Sequence, residues 1–174
     1  VYAAIFALTI LALIFALPNV QAQAISQCFQ ARTPVRWIGG FLLLLGICLG
    51  SLWILLSVMF LFTGQVPQVV IDSGHPTSVI FAVDLTMLVP FAILGGLWLW
   101  RRQPWGYVLG TMIAISGGEY TLALAGMGLA ADKTVVAGAA PLTALWLTLS
   151  AICFFAGGVM LRNLEQGAPA HARR

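Results

Sequence analysis

Polar residues are rare along this chain, and they cluster between long apolar runs rather than alternating with apolar positions. Crossing about 30 Å of hydrocarbon takes roughly 20 helical residues. Five runs reach that length, at residues 1–20, 37–63, 79–100, 105–130 and 135–161. The pattern therefore predicts an all-α integral membrane bundle of about five transmembrane helices over residues 1–162. A polar tail follows over residues 163–174, "NLEQGAPAHARR". The chain opens inside an apolar run, as expected if further sequence precedes it. "AQA" at residues 22–24 imitates a signal-peptide cleavage site, but no basic stretch stands before it, so 1–20 reads as a spanning helix.

Composition agrees: 61% of the 174 residues are hydrophobic and 7% are charged, against about a quarter charged in soluble domains. The net charge of +3 comes from seven arginines and one lysine against five acids. The arginines stand at the ends of apolar runs, which suits membrane orientation rather than nucleic-acid binding. Arg32 and Arg36 fall between the first two spans, Arg101 and Arg102 between the third and fourth, and Arg162, Arg173 and Arg174 after the fifth. With five crossings all three clusters share one side. The positive-inside rule makes that side cytoplasmic, with the N-terminus outside. A multi-pass protein of the cell membrane is expected.

Interfacial residues mark the span ends. Trp37, Trp98, Trp100 and Trp105 lie near the expected boundaries, whereas Trp53 and Trp146 lie deeper and read as packing residues. In "RRQPWGYVL", Arg101 and Arg102 suit anionic headgroups and Pro104 suits a helix start. Trp105 and Tyr107 then anchor the next helix at the interface. Gly39, Gly46, Gly50 and Ser57 repeat at seven, four and seven along the second span. They form a small-residue stripe for close helix packing, within the chain or between subunits.

Two carboxyls break the apolar pattern: Asp84 in "VIFAVDLTML" and Glu119 in "ISGGEYTLAL". Inserting one acid at mid-membrane costs ~3 kcal/mol. The short "RRQP" turn makes the third and fourth spans antiparallel neighbours, so the two acids lie at similar depth, at roughly 21–25 Å from that turn. Ser116, Glu119, Ala123 and Gly126 form a small and polar strip, expected to face the bundle. Either the acids are neutral hydrogen-bonding struts or occupants of a wet outer vestibule, or they form an ion, proton or ligand site with His75 on the loop above. Pro90 deprives the Thr86 carbonyl of its helical donor, which can kink the helix beside Asp84.

Other chemistry lacks its residues. No histidine lies within a span to hold a b-type haem, and the one lysine, Lys133, is on a turn. No GxxxxGK[ST], GxSxG or HExxH occurs. Cys28, Cys48 and Cys153 have no metal-ligand spacing, and Asp84, Glu119 and His75 are not spaced diagnostically for a metal. No catalytic residues, cofactor or metal are expected.

Three stretches, "HPTSVIFAVDLTMLVP", "RRQPWGYVL" and "SGGEYTLALAGM", resemble an uncharacterised group of bacterial polytopic membrane proteins with an RRxPWGY-type interhelical turn. The opening "VYAAIFALTILALIFAL" looks like an interior helix of that group. The resemblance implies a helical membrane protein and assigns no activity. It implies that Asp84 belongs to the shared segment and that Glu119 is particular to this chain. The expectation is a non-enzymatic accessory or scaffolding subunit, embedded in lipid beside other membrane proteins. The alternative is a small proton- or cation-coupled transporter using Asp84 and Glu119.

Overall fold

The computed structural model describes residues 8, 11–12, 15–67, 70–71, 79–132 and 139–164. Most of the expected first span, and His75, lie outside them. A 3₁₀ turn, Leu17–Asn19, leads to α1 (Ala22–Gln27), α2 (Val35–Thr63) and α3 (Val79–Val83). A π-helical turn, Asp84–Leu88, joins α3 to α4 (Val89–Trp100). Then come α5 (Pro104–Asp132) and α6 (Ala139–Arg162). Among the described residues there is no strand, only an isolated bridge between Phe29 and Leu164.

Among the described residues, four helical stretches are long and apolar enough to cross a membrane: Val35–Thr63, Phe81–Trp100, Pro104–Leu129 and Thr143–Arg162. Their outer faces carry Leu44, Ile54, Leu61, Phe62 and Phe155, all exposed, as suits lipid rather than water. The chain thus has the make-up of a multi-pass helical membrane protein. At 29 residues, α2 rises about 43 Å and outreaches the hydrocarbon layer.

The helices pack as α2 on α4, α4 on α5 and α5 on α6. The small-residue stripe lies along the first of these contacts. A Cβ on Gly39 would stand 2.7 Å from the Gly96 carbonyl oxygen, and one on Gly96 2.8 Å from that of Gly39. Further along, Gly46 meets Ala92 and Ile93, and Gly50 meets Val89. Ser57, the last residue of the stripe, donates its hydroxyl back to the Trp53 carbonyl. Two backbones approach here because no side chain stands between them.

One end of the bundle is tied together by polar backbone. The Gln30 N–H donates to the Asn163 carbonyl, and an Arg102 guanidinium N–H donates to the Ala31 carbonyl at 3.3 Å. Arg32, Arg36, Arg101, Arg102 and Arg162 therefore gather at that end. Beneath them lies a core of Val35, Ile38, Leu42, Leu99, Tyr107, Ala114, Ala156 and Met160. Tyr107 is only 6% exposed and packs its ring on Phe29 at 4.8 Å. It is a core residue at the arginine end rather than the surface anchor expected, because residues 22–31 fold back over the start of α5.

The turn between α4 and α5 has a defined stop. Gln103 N–H donates to the Trp98 carbonyl and Arg102 N–H to that of Leu99, the bond pair of a Schellman motif. Arg102 takes the left-handed conformation, φ 55°, where glycine is usual. Pro104 then opens α5.

Candidate functional site: a carboxyl clasp between three helices

Pro90 shapes the backbone that carries Asp84. A proline ring clashes with the carbonyl four residues back and offers it no N–H. Here the helix widens just before Pro90 into the π turn Asp84–Leu88, in which Val89 N–H donates to the Asp84 carbonyl. A π turn adds a residue to one helical turn and so re-aims the side chains around it. Thr86 occupies its own hydroxyl by donating to the Ala82 carbonyl at 2.6 Å.

The Asp84 carboxyl consequently points into the bundle, with the residue only 4% exposed. Trp53 Nε1 on α2 donates to Asp84 Oδ2 at 2.9 Å, and the Tyr120 hydroxyl on α5 donates to the same oxygen at 3.1 Å. The indole is held from the side as well, stacked on Phe81 at 4.1 Å and 22°. Phe81 sits three residues before Asp84, so one helical face supplies both the ring and the acceptor. Oδ2 can accept both bonds whether or not the carboxyl carries a proton. The arrangement joins α2, the π turn and α5 through one oxygen atom. Interhelical polar bonds in membranes average about 0.6 kcal/mol and reach about 1.7. Two of them offset about 1–3 kcal/mol of the ~3 kcal/mol insertion cost of the acid.

Glu119 does not join this cluster. It is exposed, and its neighbour Tyr120 is the α5 residue that reaches Asp84. Consecutive helical residues point about 100° apart, so similar depth brings only one of the two inward. Ser116, Ala123 and Gly126 are exposed with Glu119. The strip expected to face the bundle therefore faces away from it. The inward face of α5 is set by contacts with α4 and α6, including the Ser150 hydroxyl, which donates to the Gly118 carbonyl at 2.9 Å.

Trp53 and Tyr120 are the site residues that sequence reading passed over. A signal existed for Trp53: an indole N–H deep in hydrocarbon needs an acceptor, and Asp84 is among the few on offer. Tyr120 stood in the shadow of the acid beside it.

Next to the clasp, Tyr120 also lines an apolar cleft of about 310 Å³ between α2 and α6, together with Leu45, Leu49, Leu52, Trp146 and Leu149. Nearer the arginine end Trp37 on α2 meets Phe155 on α6 edge-on at 5.9 Å. A second hollow, about 590 Å³, lies at the arginine end between Gln21, Gln23, Gln27 and Trp105. Among the described residues no group of three His, Cys, Asp or Glu could hold a metal ion. Every buried side-chain nitrogen and oxygen described has a hydrogen-bond partner or contact with solvent space.

Fold and site thus define a helical bundle with the make-up of a multi-pass membrane protein, packed around the buried carboxyl of Asp84. Comparison with protein families, with curated proteins and with solved structures finds no match.

Proposed function

We propose that this chain is a non-enzymatic subunit of a larger membrane assembly, with an accessory or scaffolding role in the cell membrane and its arginine-rich end in the cytoplasm. The observation that carries this reading is the partnering of Asp84. Its carboxyl is engaged by Trp53 and Tyr120, as a strut between helices is, while Glu119 lies on another face of α5. A proton- or cation-coupled carrier working through Asp84 and Glu119 needs both acids on one path. The placement of Tyr120 between the helices favours the strut. The wide apolar outer surface is available to lipid and to other subunits.

The test is gentle extraction from native membranes followed by mass spectrometry of whatever co-purifies. An assembly subunit brings a defined set of proteins at fixed stoichiometry. Recovery of the chain alone, with a transport activity abolished by Asp84→Asn and Glu119→Gln in folded protein, would establish the carrier instead.

A further inference from the structure

The outward strip of α5 is a poor surface to present to lipid. Met112, Ser116, Glu119, Ala123 and Gly126 follow one another at four, three, four and three residues, and all are exposed. Glu119 lies near the middle of the 29-residue helix, and none of the described residues forms a hydrogen bond or ion pair with it. Nothing stands within 4 Å of where a Cβ on Gly126 would be. Small side chains lower the surface on both sides of the acid, as helix interfaces in membranes require. An acid at that depth is costly without a partner.

We propose that this strip is the docking face for a transmembrane helix of a different polypeptide, one that carries a lysine, arginine or histidine at mid-depth opposite Glu119. This rests on the reading of the chain as an assembly subunit and names the chemistry of the contact. Charge complementarity selects the occupant. No Lys, Arg or His lies within any of the five apolar runs, so these runs, residues 1–20 included, offer Glu119 no base. A second copy docked about a two-fold axis along the membrane normal would set Glu119 against Glu119 and bring it no base.

The experiment uses the full chain in native membranes, with Ala123 replaced by p-benzoylphenylalanine and, as a control, the same photoprobe at Ile54 on the exposed face of α2. After illumination, the position-123 probe is expected to form one protein adduct. The partner peptide should carry a Lys, Arg or His within one helical turn of the attachment point, and the adduct should be absent from position 54. Glu119→Gln should lower the yield by about threefold to fifteenfold, as loss of a polar contact of this kind implies, and Glu119→Asp should keep it. Glu119→Lys combined with the partner's base changed to glutamate should restore it. An adduct to residues 1–20, to a second copy or to lipid alone overturns the proposal, as does a yield indifferent to Glu119→Gln. If Glu119→Gln still co-purifies with its full set of partners, the docking face is wrong and the assembly reading stands. If the unaltered chain recovers no partner, both fall.

Discussion

Trp53 and Asp84 stand 31 positions apart in the chain and meet through a 2.9 Å bond from the indole N–H to Oδ2. The oxygen that accepts this bond also accepts the Tyr120 hydroxyl. Three helices therefore depend on one atom, and that dependence can be measured.

Removing the acceptor should cost more than weakening it. Asp84→Ala leaves an indole N–H and a phenol O–H without a partner, a loss of about 1–3 kcal/mol. Asp84→Asn keeps a carbonyl oxygen in place and should cost less than half as much. Thermal unfolding of the purified protein in detergent ranks the two. Equal midpoints for both variants and the unaltered chain would remove the clasp from the stability of the bundle.

The two donors should not act independently. Trp53→Phe keeps a ring against Phe81 while deleting one bond, and Tyr120→Phe deletes the other. Because both bonds end on Oδ2, the double variant should depart from additivity by about 0.5–1 kcal/mol. Additive losses would show that the two helices are held separately.

Close backbone approach predicts which glycines tolerate a methyl group. A Cβ at Gly106 would lie 2.2 Å from the Leu99 backbone nitrogen, and one at Gly39 2.7 Å from the Gly96 oxygen. Gly106→Ala and Gly39→Ala should each destabilise by about 1–3 kcal/mol, the usual cost of overpacking. Nothing lies within 4 Å of a Cβ at Gly158, so Gly158→Ala should be neutral or stabilising by up to about 1 kcal/mol. Yield of monodisperse protein and the unfolding midpoint report all three.

The cysteines report depth and orientation. Cys28 is partly exposed at the arginine end, Cys48 is exposed on the apolar face of α2, and Cys153 is buried. A membrane-impermeant maleimide should label Cys28 in inside-out vesicles and not in right-side-out ones. Cys48 should need a permeant reagent, and Cys153 should react only after denaturation. Labelling of Cys28 from the outside would reverse the proposed orientation.

The amino-acid sequence by itself determined the helical class, the apolar runs in which α2, α3 to α4, α5 and α6 lie, the gathering of arginines between runs, and the standing of Asp84 and Glu119 as exceptions. These follow from hydrocarbon length and from the cost of placing charge in lipid, which act on each segment separately. The first of the five expected spans lies mostly outside the described residues, as does His75. Rotation about each helix axis was decided only by the tertiary structure. The apolar runs have too little contrast between faces to show which one turns inward, so the pattern of α5 points Glu119 at the bundle and gives no sign of Tyr120. The π turn before Pro90 changed the aim of Asp84 in a way that a regular 3.6-residue repeat could not indicate. The inward face of α5 came from contacts between its glycines and α4 and α6, and those contacts belong to the pair of helices rather than to either alone.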